Sequence, residues 1–97
     1  MTDAQPDVSV TDVAERNRYE ITVDGRLAGF GEYRSGDGIV DLTHTEVFDE
    51  FSGRGIAGVL VAAELDDARR QGLRVRPLCP YVAAYIKRHP EYTDLVA

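Results

Sequence analysis

The sequence predicts an α+β fold, in which an antiparallel meander of strands leads into a βαβ crossover and gives a mixed sheet with two main helices. Three observations carry this prediction. Apolar residues alternate with polar ones through the first half of the chain, whereas they recur at helical spacing from residue 54 onward. Turns rich in Gly and Asp separate the alternating stretches. The 97 residues suit one domain over residues 1–97, with residues 1–7 as a loose leader.

The meander is predicted from alternating apolar positions. A weak pattern over residues 8–13 suggests a short first strand, and residues 18–23 form a clearer second one. The second strand ends at Asp24-Gly25, a dipeptide that suits a type I′ hairpin turn. Residues 26–34 are the return strand, and residues 39–48 follow the next turn as another strand.

The crossover is predicted from a change of period. Residues 54–71 have apolar side chains at helical spacing, and Gly72 follows as a typical helix end. Residues 73–79 are predicted as a strand, and Pro77, which lacks an N–H, indicates an edge position or a bulge. Residues 81–89 are predicted as a last helix. The first helix is apolar nearly all round in its early turns, which predicts burial there. Its later turns are expected to be solvated by Glu64, Asp66, Asp67, Arg69, Arg70 and Gln71.

The charge distribution is uneven. The formal net charge is −6; residues 1–52 carry twelve acidic and four basic side chains, whereas residues 53–97 carry five and seven. A general nucleic-acid or membrane-surface binder needs a concentrated positive face, so this composition disfavours both. A phosphate-bearing ligand is expected on the second half of the chain.

Cysteine usage and the chain's beginning predict a cytoplasmic protein. The single Cys79 cannot form an internal disulfide, and residues 1–7 show neither a basic nor an apolar targeting segment. The longest apolar run spans residues 56–63, far below the ~20 residues that cross a bilayer. Two His and one Cys, widely spaced, do not indicate a metal site.

The segment 52–58 is the first candidate for binding chemistry. Glycines between a strand and a helix let a ligand approach the backbone, and the free N–H groups of the first helical turn favour a phosphate. Arg54 adds a positive charge. The same glycines also suit plain tight packing, and both interpretations stay open.

In its context, this segment resembles the acetyl-coenzyme A-binding motif of the GNAT N-acetyltransferase superfamily, Arg/Gln-x-x-Gly-x-Gly/Ala. Gly55 and Ala57 match the last two motif positions, whereas Ser52 stands where Arg or Gln is usual. The resemblance implies acetyl-coenzyme A as cosubstrate and no metal. It assigns the cofactor to Val47, Phe48, Gly53, Arg54, Gly55, Ile56, Ala57, Gly58, Lys87 and Arg88.

Further segments resemble a small, single-domain branch of GNAT-like acetyltransferases. They are residues 44–47, 53–57, 68–69, 77–82 and 85–92, and the resemblance runs over residues 19–96. It implies a GNAT-like fold and transfer of an acetyl group to an amine of a small molecule or a protein. The acidic first half favours a cationic acceptor. The chain is expected to be a monomer or a weak homodimer.

The resemblance assigns catalytic roles, each with a plain alternative. Glu46 is the candidate base, or else an exposed edge carboxylate. His44 lies two residues away on the same strand face and relays a proton, or is simply a hydrogen-bonded histidine. Val47 and Phe48 line the cofactor channel, where an N–H near Val47 faces the thioester carbonyl, or they only pack in the core.

Cys79 and Tyr85 complete the candidate set. Cys79 is either a small buried hydrophobe or a reactive thiol, since the helix that follows it favours the thiolate, which then accepts acetyl or forms a disulfide with coenzyme A. Tyr85 protonates the leaving thiolate, or anchors the last helix. Lys87 and Arg88 reach the 3′-phosphate, or are solvated.

Two functions without turnover remain as alternatives. The chain is short for a protein that must also build an acceptor pocket, which suits a coenzyme A-binding sensor or accessory module. The second alternative is an interaction domain in which the motifs have only a structural role. Ser52 in the motif favours these two, whereas Glu46, Cys79 and Tyr85 favour an enzyme.

Overall fold

Residues 7–97, the part of the chain that the computed structural model describes, form a two-layer α+β structure. It consists of a five-stranded mixed sheet with two helices on one face. The predicted leader lies outside the described residues except for Asp7, whose backbone pairs with Asp24. The strands lie in the order β1 to β5 across the sheet. Their bounds and those of the helices are β1 Val8–Val13, β2 Arg18–Val23, β3 Arg26–Gly36, β4 Ile39–Val47, β5 Arg74–Pro77, α1 Ile56–Gln71 and α2 Pro80–Arg88.

The meander forms as predicted, because its turns contain residues that accept a left-handed backbone. Asp24 and Gly25 have φ values of 50° and 81°, and Asp37 and Gly38 have φ values of 55° and 78°. Two successive positive φ values define the type I′ turn, whose twist matches that of the flanking strands. The predicted antiparallel pairs β2–β3 and β3–β4 are therefore confirmed, and β1 adds a further antiparallel strand.

The crossover is also confirmed, with shorter elements than predicted. β4 and β5 are parallel and pair from Ile39–Arg74 to Leu42–Pro77. β5 ends at Pro77, two residues before the predicted end, and Cys79 instead caps the N-terminus of α2. The first helix begins at Ile56 because Gly53 and Gly55 are left-handed, with φ values of 77° and 74°. No helix within residues 7–97 has the length and apolarity to span a bilayer.

The core lies between the helices and one face of the sheet. One cluster joins α1, α2, β4 and β5 around Val61, Leu65 and Val75, and the other joins α1 to β2 and β3 around Leu60 and Ile21. α1 contributes to both clusters, so it ties the meander to the crossover. The opposite face of the sheet carries no helix among the described residues.

The prediction that Glu64 is solvated is wrong. Its side chain is 2% exposed, and both carboxyl oxygens are buried without a hydrogen-bond partner within the described residues. Glu64 lies between Leu60 and Ala68 on the buried stripe of α1, and Gly31 on β3 leaves space for it. A β-carbon at Gly31 would stand 1.9 Å from Oε2 of Glu64.

A β-bulge in β4 decides which residues face the helices. Tyr33 pairs with Leu42 and Glu32 pairs with His44, so Thr43 is an extra residue in β4. Leu42 belongs to the core under the helices, whereas His44, two positions on, is exposed. The bulge therefore turns His44 to the open face of the sheet.

Candidate active site

β4 and β5 diverge beyond their fourth pair. The last backbone link between them is the hydrogen bond from the N–H of Cys79 to the carbonyl of Leu42, at 2.8 Å. From there the chain enters α2, whereas β4 continues to Val47. Five residues of β4, residues 43–47, thus have no strand partner among residues 7–97 on the side that β5 has left.

The free edge of β4 offers backbone donors to this cleft. The N–H of Phe48 donates to the carbonyl of Ala28, toward β3. Backbone groups of successive residues in an antiparallel strand point to opposite sides. The N–H groups of Thr45 and Val47 therefore point toward the cleft.

A cavity of about 280 Å³ opens where β4 ends and α1 begins. The two positive-φ glycines of the turn form its rim, and the first residues of α1 form its floor. Its lining residues are Val47, Phe51, Ser52, Gly53, Gly55, Ile56, Ala57 and Tyr81. Five of them are residues that the GNAT resemblance assigns to acetyl-coenzyme A.

Tyr81 lines this cavity although its sequence position predicted no site role. It is in the first turn of α2, and its hydroxyl oxygen would be 3.8 Å from a β-carbon at Gly58. Tyr85, one turn later, would be 3.7 Å from the same β-carbon. The sequence did contain a signal for Tyr81: it precedes Tyr85 by four residues, and residues at this spacing share a helix face.

Other residues assigned to the cofactor are outside this lining. The guanidinium of Arg54 lies over the ring of Phe51, 5.6 Å from its centroid. Phe48 packs edge-on against Phe30, with centroids 6.2 Å apart. Gly58 instead faces the two tyrosines of α2, and the exposed Lys87 and Arg88 lie in the last turn of that helix.

His44 and Glu46 form a pair on the open face of the sheet. Nε2 of His44 is 3.2 Å from Oε1 of Glu46, and about half of each side chain is exposed. The ring of Phe30 lies 6.0 Å from the ring of His44, and the guanidinium of Arg18 covers Phe30 at 4.5 Å. A hydrogen-bonded imidazole and carboxylate can accept a proton and share it.

Cys79 lies at the point where the strands part. Its side chain is 6% exposed and belongs to the core cluster of the crossover. The thiol donates a hydrogen bond to Oγ1 of Thr45, with sulfur and oxygen 3.5 Å apart. This contact links the start of α2 to the unpaired part of β4, so Cys79 both packs and borders the cleft.

Tyr85 is held by stacking. Its ring lies parallel to that of His89, with centroids 4.0 Å apart, and Nδ1 of His89 is 2.9 Å from the carbonyl oxygen of Tyr85. Burial raises the pKa of the Tyr85 hydroxyl, and the nearby carboxylate of Glu91 adds to this effect. The hydroxyl is therefore protonated at neutral pH.

Residues 7–97 contain no group of three or more His, Cys, Asp or Glu side chains placed to hold an ion. The candidate groups are backbone donors, an imidazole–carboxylate pair, a thiol and a protonated tyrosine. Such groups serve acyl transfer by positioning and proton exchange.

Related sequences show the family of the chain. The sequence profile of the GCN5-related N-acetyl-transferase family matches residues 18–95, which is more than half of the chain. Protein NATD1 of Mus musculus is 38% identical over 79 residues, covering 78% of this chain and 71% of that protein. Protein NATD1 of Xenopus tropicalis is 34% identical over 91 residues, covering 91% and 83%.

Solved structures give the same fold. The solution structure of a GCN5-like protein from Staphylococcus aureus superposes with a TM-score of 0.70 at 23% identity, covering 92% of this chain and 87% of that one. Ard1 from Thermoplasma volcanium superposes with a TM-score of 0.58 at 20% identity, covering 75% and 53%. By its sequence and its fold, the chain belongs to the GCN5-related N-acetyltransferase (GNAT) family.

Proposed function

We propose that the chain binds acetyl-coenzyme A in the cleft between β4 and β5 and transfers the acetyl group to an amine. The observation that carries the proposal is the end of strand pairing at Leu42 and Pro77, beyond which β4 continues alone to Val47 in the lining of the cavity at the start of α1. Acetyl-coenzyme A supplies an activated acetyl group as a thioester. Every other task falls to residues of this chain.

The turn before α1 binds the pyrophosphate. Gly53 and Gly55 carry no side chain, and a β-carbon at either would meet nothing within 4 Å, so a ligand has access to the backbone there. The N–H groups of the first helical turn have no intrahelical partner and carry partial positive charge. Ser52 stands where the GNAT motif has Arg or Gln, and its hydroxyl already donates to the carbonyl of Asp49. Binding therefore rests on backbone amides, with Arg54 at the rim.

The free edge of β4 orients the thioester. The N–H of Val47 points into the cleft and donates to the acetyl carbonyl oxygen, where negative charge develops during transfer. Cys79 and Thr45 border the deep end of the cleft, where β4 and β5 part. The buried position of Cys79 supports a packing role, and acetylation of its thiol is tested separately below.

The His44–Glu46 pair removes the proton from the acceptor amine. It is on the open face, so the acceptor approaches from the side of the sheet on which residues 7–97 place no helix. Tyr85, whose hydroxyl is protonated at neutral pH, returns a proton to the leaving thiolate. The carboxylate of Glu46 on the open face favours a cationic acceptor.

Cofactor binding is tested by thermal denaturation with increasing acetyl-coenzyme A. A ligand that binds only the folded state raises the melting temperature. Ala57→Leu fills the floor of the cavity and is expected to abolish the rise, whereas Ala84→Leu, at an exposed position of α2, keeps it. No rise with the unsubstituted protein at millimolar ligand contradicts the proposal.

Turnover is tested with a panel of amine acceptors. Glu46→Gln is expected to lower kcat at neutral pH with little change in the affinity for acetyl-coenzyme A, whereas Glu15→Gln, at an exposed site before β2, changes neither. Cofactor binding without turnover of any acceptor would favour the sensor or accessory module.

The role of Cys79 is tested by mass spectrometry after incubation with acetyl-coenzyme A. A covalent role predicts one added acetyl group that Cys79→Ser cannot take. The packing role predicts no adduct and an activity that Cys79→Ser largely keeps. An adduct of equal yield in both proteins excludes Cys79 as the acceptor.

A further inference from the structure

A second cavity lies far along α1 from the cleft. It has a volume of about 180 Å³ and is bounded by the later turns of α1 and the first four strands. Val40 and Gln71 line it, whereas the cleft is lined by Val47 and Ile56 at the opposite ends of the same elements. The proposed acetyl transfer therefore makes no use of this cavity.

Glu64 lines this cavity and is the least satisfied polar side chain of the described residues. It is 2% exposed, and neither carboxyl oxygen has a hydrogen-bond partner there. Buried polar side chains are almost always paired, so an unpaired carboxyl requires an explanation. Burial raises its pKa to about 8, so the group is poised between its neutral and charged forms near neutral pH.

The walls of the cavity are acidic and aromatic. Asp12 and Glu64 are its charged side chains, and the lining contains no Lys, Arg or His. The rings of Tyr19 and Tyr33 stand 5.3 Å apart in its wall. Their hydroxyls are already engaged: Tyr19 donates to Asp67 and Tyr33 donates to Asp12, each at 2.5 Å. The rings, rather than the hydroxyls, remain available to a ligand.

Carboxylates combined with aromatic rings are the chemistry that recognises organic cations. The volume is large enough for a short alkyl chain with a terminal amine. Both carboxyl oxygens are covered in the empty cavity, so the Glu64 side chain would have to rotate for an ammonium group there to become the partner that it lacks. The apolar wall formed by Val40, Leu42 and Ala68 would cover the alkyl chain.

We propose that this cavity is a binding site for a small primary alkylammonium ion, with the carboxylate of Glu64 as its ion-pair partner and the rings of Tyr19 and Tyr33 against its alkyl chain. The site is separate from the acetyl-transfer cleft and does not depend on the proposed function. Other ionisable groups facing Glu64 from neighbouring elements are Asp12, Tyr19 and Tyr33, and Asp67 lies on its own helix.

The probe is n-butylammonium, titrated into the isotopically labelled protein and followed by amide chemical shifts. We expect saturable shifts centred on Gly31, Tyr33 and Gln71, with no change at Gly53 and Gly55. Glu64→Gln keeps the size of the side chain but removes its negative charge. The affinity is therefore expected to fall about tenfold or more. Glu91→Gln, at an exposed site outside the cavity lining, leaves the affinity unchanged.

The unsubstituted protein gives a second, independent test. Binding requires the charged carboxylate, so affinity should rise about tenfold per pH unit below about pH 8 and level off above it. Proton release on binding should be visible by calorimetry in buffers of different ionisation enthalpy. Neutral n-butanol has nearly the same shape and should bind far more weakly.

Three outcomes would overturn the proposal. The first is the absence of saturable shifts at high millimolar n-butylammonium. The second is equal affinity for n-butanol, which would mean an apolar cavity without cation recognition. The third is an affinity independent of pH, or retained in Glu64→Gln, which would mean that Glu64 is not the partner. These readouts also distinguish the site from acetyl transfer, since none of them uses acetyl-coenzyme A.

Discussion

Gly29 on β3 lies directly against the backbone of Glu46 on β4. A β-carbon at Gly29 would stand 2.3 Å from the carbonyl oxygen of Glu46 and 3.1 Å from Cα of Val47. Both contacts are with backbone, which cannot rotate away as a flexible side chain can. The absence of a side chain at Gly29 therefore fixes the end of β4, where the proposed base and the proposed carbonyl donor lie side by side.

Gly29→Ala is expected to push β4 outward and to lower the free energy of unfolding by about 1–3 kcal/mol, the range typical of overpacking. Acetyl transfer should fall further than stability accounts for, because Glu46 and Val47 move. Gly36→Ala is the matched control in the same strand, since a β-carbon there meets nothing within 4 Å. Chemical denaturation and kcat/KM measure the two effects, and equal behaviour of both variants would show that the close approach does not matter.

Gly58→Ala is expected to raise the free energy of unfolding by about 0.5–1 kcal/mol, because Ala is a better helix former than Gly. The new β-carbon would lie 3.7 Å from Tyr85, an ordinary van der Waals distance. Gly72→Ala, at the end of the same helix, should have the opposite sign, since Gly72 has a φ of 71°. Urea denaturation of the two variants tests the pair, and destabilisation by Gly58→Ala would mean that α1 and α2 approach more closely than described.

Glu64 should make stability depend on pH. Its pKa is raised to about 8, so the native state keeps a proton that the unfolded state has already lost. The stability due to this group is fully present below its ordinary pKa of 4.5 and is lost as pH rises toward about 8, at about 1.4 kcal/mol per pH unit. Glu64→Gln should remove this slope, and Glu91→Gln should retain it. Parallel pH profiles of the unsubstituted protein and Glu64→Gln would contradict this expectation.

Tyr92 joins the segment after α2 to α1. Its hydroxyl donates a 2.8 Å hydrogen bond to Asp66, and Tyr92→Phe is expected to cost about 1 kcal/mol of unfolding free energy. Burial, together with that hydrogen bond, raises the pKa of Tyr92 to about 12. Its contribution is thus complete below pH 10, the ordinary pKa, and is lost as pH rises to about 12. Tyr81→Phe is the control, and a difference that persists unchanged to high pH would exclude the bond as its source.

Most of the fold was predictable from local patterns. The alternation around Ile21 indicated a half-buried strand, and the dipeptide Asp24-Gly25 indicated its turn. The helical spacing from Ile56 and the closing Gly72 indicated α1. These signals act between neighbours in sequence, so they need no knowledge of what packs against them. The glycine turn before α1 was located in the same way.

Three features of the sites could not be predicted from the sequence, because they depend on contacts between residues far apart in the chain. Glu64 has the spacing of a core residue, yet its charge predicted solvent exposure, and only the space above Gly31 explains its burial. The extra residue Thr43 turns His44 to the open face, and no local pattern announced this bulge. Tyr81 reaches the cavity because α2 starts where β5 leaves β4. Each depends on the packing of elements far apart in the chain.

The outer edge of β5 has a consequence for self-association. Arg74 donates its N–H toward β4, so the backbone groups of Val75 and Pro77 face outward. Pro77 has no N–H, and the carbonyl of Val75 accepts from Ala97 beside the Val75–Val96 bridge. A strand from a second molecule would therefore find few free amides along β5. The same proline that shortens the strand protects this edge against intermolecular strand pairing and aggregation.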